Sequence, residues 1–400
     1  NEAINGENGR LAYSSEDKAN ILATAFQTVS STANYSEKFK EHKKIEDNIS
    51  NYIHTRRSEE ANRLNDKITL KEIKAAIAKS KKGSSVGIDK ISNEMLQHLP
   101  EIVITVITIL FNEIMQEGYV PKIWKHAIVI PILKPAKPAQ DPASYRPIAL
   151  TSHLGKLLER IITNRLSWFM EKNNLINKNQ SGFRKNHSTI DHIINLQDII
   201  NKYNNNKGYT VAIFLDFEKA YDMLWQNGLL VKLSKIGITD GIINYIKSLL
   251  ENRTFQVKIK ESLSVIKTLE NGTPQGSVIS PLLFLNMIND LPDVINQAIL
   301  SLFADDGCLL KSGRNLKYLE KIIQENLNNI LEWCDNWGFK LSASKTIGVV
   351  FTHQRNINIS LQIENKDIQM SNEAKFLGLY FDSKLTWKTH INSVLSKCKT

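Results

Sequence analysis

Polar residues dominate the chain up to about residue 65, and the apolar positions among them, such as Leu11, Ile21, Leu22 and Phe26, keep only a loose helical spacing. Residues 1–65 are therefore expected to be a helical linker from an upstream domain. Organised sequence begins at Thr69, where Thr69-Leu-Lys-Glu72 has the form of a capping box and opens a helix with Ile73 and Ile77 inward and Gly83 as its stop. The run from Ile102 to Met115 predicts a core helix ending before Gly118 and Pro121, and Ala127-Ile-Val-Ile-Pro-Ile-Leu133 predicts a strand. A proline-spaced basic loop joins it to a second strand around Tyr145-Arg-Pro-Ile-Ala-Leu150, so Lys134 and Arg146 are expected on one hairpin. A helix through Leu157, Ile161 and Leu166, a basic loop Ser181-Gly-Phe-Arg184-Lys185 and a helix from Ile190 to Ile200 follow.

The unbroken run Tyr209-Thr-Val-Ala-Ile-Phe-Leu215 predicts a buried strand with Asp216 at its carboxyl end, ahead of a helical stretch beginning near Lys219. Phe255-Gln-Val-Lys-Ile-Lys260 and Ser264-Val-Ile-Lys-Thr-Leu269 alternate like hairpin strands. Gly272-Thr-Pro-Gln-Gly-Ser277 reads as a loop, and Ser280-Pro281 starts a helix with serine as its cap. Between Leu300 and Leu310, apolar residues flank Asp305-Asp306-Gly307, which predicts two short, mostly buried strands whose turn holds the acids. The next helix buries Leu316, Leu319, Ile323, Leu327, Ile330, Cys334 and Trp337 and stops at Gly338. Strands at Ile347-Gly-Val-Val-Phe351 and Lys375-Phe-Leu-Gly-Leu-Tyr-Phe381 close the readable part.

With 400 residues, 42% hydrophobic and 23% charged, the chain is expected to be globular, with one large core or roughly two to three domains. Lysine and arginine outnumber aspartate and glutamate by 51 to 41, a net charge of +10 that favours a polyanionic partner such as nucleic acid. Cys308, Cys334 and Cys398 are too scattered for a disulfide framework or a zinc site, which points to a reducing, intracellular setting. The greasiest run, from Ile102 to Phe111, has about half the length that spans a bilayer, so no membrane partner is expected. The first residue is Asn, and the last ones fall inside an unfinished amphipathic pattern, so the chain reads as a piece of a longer polypeptide.

Adjacent carboxylates at a turn need a cation or solvent. Nucleotidyl transfer asks a protein chiefly to hold cations where charge builds on the attacking and leaving oxygens, and magnesium takes hard oxygen ligands, including one or two carboxylates. Asp216 at one strand end and Asp305-Asp306 at a hairpin would supply that set if the two elements lie side by side in one sheet. A plain Asp-Gly turn without chemistry is the alternative.

Phe214-Leu-Asp216-Phe-Glu-Lys-Ala-Tyr221-Asp222, Gly272-Thr-Pro-Gln-Gly-Ser-Val-Ile-Ser-Pro281 and Phe303-Ala-Asp-Asp306, in this order, resemble the palm motifs of reverse transcriptases. Tyr145-Arg-Pro-Ile-Ala-Leu150 and Gly182-Phe-Arg184 are similar to fingers motifs of the non-LTR, LINE-type retrotransposon enzymes, most of all the jockey-like group. Trp337-Gly-Phe-Lys-Leu-Ser-Ala-Ser-Lys-Thr346 and Phe376-Leu-Gly378 resemble the two motifs that follow. The resemblance spans roughly residues 68 to 385, and its specificity lies in seven blocks occurring in order.

The resemblance implies an α+β fold, a right-hand-like fingers and palm with an antiparallel palm sheet and the start of a thumb. Its divisions are a linker at 1–65, fingers with the first palm elements at 66–210, palm with primer grip at 211–385 and thumb from 386 to 400. It implies RNA-directed DNA polymerase activity on an RNA template and a DNA primer or target, with dNTPs and Mg2+, or Mn2+ in its place. Asp216 and Asp305 would hold the metal ions with the Phe217 carbonyl, and Asp306 would stand close by. Tyr221 would exclude a 2′-hydroxyl, Gln275 and Gly276 would lie beside the nascent base pair, and Lys134 (or Lys137) and Arg146 would grip the triphosphate. Lys345 would protonate the departing pyrophosphate, Phe376, Leu377 and Gly378 would form the primer grip, and Arg184 and Lys185 would contact template phosphates. Each has an ordinary alternative: a core tyrosine at 221, a turn at 272–276, a solvated lysine at 345, core packing at 376–378. An endonuclease domain is not expected in this stretch, and the nucleus is the expected place of action. Rival readings are a group II intron maturase-like or RNA-dependent RNA polymerase, which a comparison of dNTPs with NTPs separates, and a non-catalytic RNA-binding module, which would bind RNA without extending a primer.

Overall fold

Helices and sheets interleave in α+β fashion in a computed structural model that describes residues 3–6, 11–49, 59–204, 207–238, 240–355 and 357–399. Residues 50–58 of the expected linker lie outside the described residues. The chain divides into two units. One comprises Asn1–Asn34, Lys43–Leu175 and Tyr221–Met287, and the other Tyr35–His42, Ile176–Ala220 and Ile288–Thr400. Among the described residues no helix is long and apolar enough to cross a membrane.

In the first unit, His126–Leu133 and Tyr145–Leu150 pair antiparallel, with Ile132 opposite Arg146. The Lys134 amide extends the ladder to the Ser144 carbonyl at 2.9 Å. Side chains alternate with period two, so Lys134 and Arg146 share one face of this hairpin, as expected. Arg253–Ile259 adds to the sheet in parallel and carries Lys267–Leu269 antiparallel on its other side. The helix Ser15–Val29 lies against this sheet. Its Ala19, Leu22, Ala23 and Phe26 form an i, i+3, i+4, i+7 stripe buried with Ala127, Val129, Ala149, Phe255 and Val257. Two alanines in that stripe made its period look loose in the sequence, where a linker helix was expected; the helix belongs to this unit's core.

The capping box at Thr69 forms in full, with Glu72 accepting from the Thr69 amide at 3.0 Å and the Thr69 hydroxyl accepting from the Glu72 amide at 3.3 Å. Its helix ends at Ala78, before Gly83. The helical stretch expected from Lys219 begins only at Gln226. The carbonyls of Tyr221 and Leu224, which a helix would need, accept instead from the amides of Thr273 and Gly272 at 2.9 and 2.8 Å. Ser280 is the first helical residue of Ser280–Met287 and not its cap; the amides of Val278 and Ile279 are taken by the buried Glu159.

The second unit is built on a five-stranded sheet in the order Gln369–Ser371, Ile347–Phe351, Tyr209–Leu215, Asp306–Gly313, Ile299–Phe303. It is antiparallel except at the Ile347–Gln369 edge, where the pairing is parallel. The central strand Tyr209–Leu215 is covered on both sides, which is why it reads as one apolar run. Ala212 and Phe214 face the helix Thr189–Asn204 and a small hairpin through Ile193, Leu196, Phe376 and Phe381. The helix Leu316–Trp337 also packs in this unit, burying Leu319, Ile323, Leu327 and Ile330. The single strand expected at 375–381 is that small hairpin, Glu373–Phe376 and Leu379–Asp382. Leu377 and Gly378 make its two-residue turn with φ of 48° and 88°, the both-positive combination that hairpin twist favours.

Candidate active site

The ladder between the two central strands of the second unit ends at Leu215 opposite Gly307. Asp216 and Asp306 are the next residues on their strands, so two carboxylates stand at the mouth of one antiparallel pair. Asp306 also pairs with Phe303, which leaves Ala304 and Asp305 as the hairpin turn. The turn thus sits two residues earlier than an Asp306-Gly307 turn would place it. Gly307 belongs to the strand, where a Cβ would meet Leu215 Cδ1 at 3.3 Å and Leu302 Cδ2 at 3.4 Å.

Asp216 is pinned through its backbone. Its amide donates to Thr346 Oγ1 at 3.3 Å and its carbonyl accepts from the Ser342 amide at 2.9 Å. The Glu218 amide donates to the Lys340 carbonyl at 2.8 Å, so the bridge between Phe217 and Leu341 is closed by residues 216 and 218. The Phe217 carbonyl is not used in that bridge, while its ring is buried against Phe339, 6.0 Å between centroids. Lys345 Nζ lies 3.4 Å from Asp216 Oδ1. Both side chains are well exposed, so this contact orients the pair more than it stabilises the fold.

Asp305 and Asp306 reach solvent, yet enough protein crowds them that burial raises both carboxyls above the usual range. For Asp305 the charge of Asp216 adds to the rise and its own backbone amide opposes it. Asp306 is pushed up to about 6, first by burial and then by Asp305 and Asp216. Among the described residues no group of three or more His, Cys, Asp or Glu side chains is arranged to hold a metal ion by itself, Asp216, Asp305 and Asp306 included. Asp305 and Asp306 nevertheless resist carrying a full negative charge each, and hard oxygen donors in that state suit a divalent cation.

The remaining predicted residues of the second unit lie around this centre. Arg184 Nη1 donates to the carbonyls of Gln180 and Asn177 at 2.9 and 3.4 Å, so its guanidinium braces its own loop, and Lys185 beside it is exposed. Phe376 is buried and packs on Phe214, 5.3 Å between centroids, two residues before Asp216.

The first unit gathers the others. Lys134 Nζ donates to the Ala143 carbonyl at 2.8 Å, Arg146 is exposed on the same hairpin face, and Lys137 is exposed in the loop between them. The Ala149 amide, on the Arg146 strand, donates to the Gln275 carbonyl at 3.0 Å. Gly276 has φ of 119°, and a Cβ there would meet the Ala149 carbonyl at 2.7 Å, so glycine is required for this approach. Gln275 Nε2 donates to both Asp222 oxygens, and the Tyr221 ring stacks on Phe284 with centroids 4.4 Å apart.

Four residues that hold these groups carried no expectation. Asp222 anchors Gln275. Arg253, fully buried, donates to the carbonyls of Asn271 and Gly272, with its pKa lowered to about 10 by burial despite the charge of Asp222. Glu159 accepts from Ser277 Oγ at 2.5 Å and from the Val278 amide at 2.7 Å. Gln180, with no exposed surface, accepts from the amides of Gly182 and Ala304. Of these, Glu159 left a signal, a charge set within the apolar face of Leu158, Ile162 and Leu166.

Residues 132–381 match the family model described as reverse transcriptase (RNA-dependent DNA polymerase). Among curated proteins, a probable RNA-directed DNA polymerase from transposon BS of Drosophila melanogaster is 34% identical over 83% of this chain and 37% of its own length. The RNA-directed DNA polymerase from mobile element jockey of the same species is 32% identical over the same shares. A Pol polyprotein from the type-1 retrotransposable element R2 of Popillia japonica is 24% identical over 58% of this chain and 33% of its own. The chain thus spans about 37% of the length of the first two relatives. Enzymes of this family work with divalent metal ions.

Proposed function

Because the chain belongs to the reverse transcriptase family, with relatives among jockey-type non-LTR mobile elements, we propose that it copies RNA into DNA by extending a primer 3′-hydroxyl with dNTPs. The observation that carries this reading is the register that sets Asp216 beside Asp306, with Asp305 on the adjoining turn. Asp216, Asp305 and the Phe217 carbonyl would hold two magnesium ions, manganese serving in their place, and Asp306 tunes the charge around them. Bound there, the ions supply activation of the primer hydroxyl and offset the charge of the leaving pyrophosphate.

The chain's own residues do the rest. Lys134 and Arg146, sharing one face of a hairpin, grip the triphosphate, arginine through its fork of donors. Gln275 and Gly276 border the nascent base pair, with Asp222 fixing the Gln275 amide. Tyr221, braced by Phe284, closes the space a 2′-hydroxyl would need. Lys345 shifts from Asp216 to protonate pyrophosphate. Lys185 meets template phosphate while Arg184 shapes the loop that carries it, and Phe376, Leu377 and Gly378 steady the primer. On this reading residues 66–210 serve as fingers, 211–385 as palm and 386–400 as the start of a thumb, and the enzyme works in the nucleus, where its template meets a chromosomal primer.

The test is extension of oligo(dT) on poly(rA) with each divalent ion, with Asp305→Asn as control. Metal-dependent incorporation of dTTP that vanishes in the variant supports the reading. RNA binding without extension contradicts it.

A further inference from the structure

The turn that carries Asp305 is held from outside its own hairpin. Ala304, the residue between Phe303 and Asp305, has φ of 56°, a left-handed conformation that an L-residue with a Cβ disfavours. Both of its polar groups are engaged by one side chain. Gln180 Oε1 accepts from the Ala304 amide at 3.0 Å, and Gln180 Nε2 donates to the Ala304 carbonyl at 3.3 Å. The same Oε1 accepts from the Gly182 amide at 2.7 Å, which fixes the orientation of the carboxamide.

The surrounding backbone repeats the grip. The Ser181 amide donates to the Leu302 carbonyl at 3.1 Å and the Leu302 amide to the Asn179 carbonyl at 2.8 Å, a parallel bridge on the edge strand of the sheet. Gly182 packs so closely that a Cβ there would collide with the Ala304 nitrogen. A fully buried amide with both ends committed to one strained residue is costly to misplace, so the turn and Gln180 move together or not at all.

The geometry points to Gln180 as a positioning residue: it holds Ala304 in its left-handed conformation and thereby aims Asp305 at the site shared with Asp216 and Asp306. This rests on the reading of those acids given above. Gln180 touches no reacting atom; its effect on Asp305 passes through the Ala304 peptide, while its bond to the Gly182 amide ties the same side chain to the loop at 181–185.

The contrast that tests this lies between Gln180→Ala and the double variant Gln180→Ala/Ala304→Gly, both assayed by primer extension across a Mg2+ titration. Gln180→Ala is expected to lower the extension rate by roughly 10- to 100-fold and to raise the Mg2+ needed for half-maximal rate. Binding of the template–primer duplex in EDTA should fall by far less than the rate, because the Arg184 brace reaches the Gln180 backbone carbonyl, which the variant keeps. Glycine takes the left-handed conformation freely, so Ala304→Gly should restore most of the lost rate. Gln180→Glu keeps the size and the acceptor but loses the donor to the Ala304 carbonyl, and it provides the same contrast with and without Ala304→Gly should the alanine variant not fold. A rate and Mg2+ dependence unchanged in Gln180→Ala overturn the proposal, as does a folded variant that Ala304→Gly fails to rescue. An unmutated chain that extends nothing overturns the polymerase reading and this proposal with it.

Discussion

Gln275 donates from Nε2 to both carboxylate oxygens of Asp222, at 2.9 and 3.0 Å, so the residue after Tyr221 fixes an amide more than fifty positions later in the chain. Arg253, buried and donating to the Gly272 carbonyl, feels the charge of Asp222. Asp222→Ala should therefore release Gln275 and remove the negative charge that Arg253 feels. We expect KM for dNTP to rise roughly tenfold, the equivalent of one lost hydrogen bond to a charged group, with a loss of about 1–3 kcal/mol in urea denaturation. An unchanged KM would remove Gln275 from nucleotide binding.

Tyr221 is half-buried and its ring is backed by Phe284 at 4.4 Å, so it cannot swing aside without breaking a stacked contact. Tyr221→Ala is expected to keep dNTP incorporation while admitting ribonucleotides. Competition between dTTP and UTP on poly(rA) reads this directly, and unaltered discrimination would assign the ring to packing.

The acids make metal binding depend on pH. Asp306, with a folded pKa of about 6 above its unfolded value, contributes stability at low pH that is lost as the pH rises through about 6. A divalent ion offsets that loss. Mg2+ should therefore raise Tm at pH 8 by more than at pH 5, where protons compete for the same oxygens. Asp305→Asn should abolish most of the increment and, without metal, melt no lower than the parent. Calorimetry at the two pH values checks both statements.

Glu159 is buried, and burial raises its carboxyl above the usual range against the pull of Ser277, Val278, Ile279 and Lys156. The contribution of such a group is present at low pH and lost as the pH rises through its folded pKa. Glu159→Gln keeps an acceptor for the Val278 amide and no longer buries a charge, so its stability at pH 8 should equal or exceed that of the parent. Glu159→Ala leaves that amide unpaired and should cost about 1–3 kcal/mol. Urea denaturation of both variants at pH 5 and pH 8 separates these effects.

The parts of the fold that rest on burial were legible in the sequence. The run 209–215 announces a strand covered on both faces, and the apolar flanks of Asp305 and Asp306 announce the hairpin. What escaped depends on hydrogen bonds between distant residues, which leave no period. Gln180 sits among polar loop residues, and nothing local marks it as buried. Gly307 looked like a turn residue because Asp-Gly often is one, whereas its lack of a side chain serves packing between Leu215 and Leu302. Tyr221 to Leu224 fell within the helical stretch expected from Lys219, but the carbonyls of Tyr221 and Leu224 were claimed by the Gly272 loop.

The central strand, paired on both edges and covered on both faces, should retain its amide protons longest in hydrogen exchange. Asp216 is fastened to the end of that slow-exchanging strand, whereas Asp305 rides a two-residue turn at the sheet's margin. Any adjustment between the two oxygen donors when cargo arrives must therefore be made by the turn and Gln180 together, leaving Asp216 as the fixed reference point of the pair.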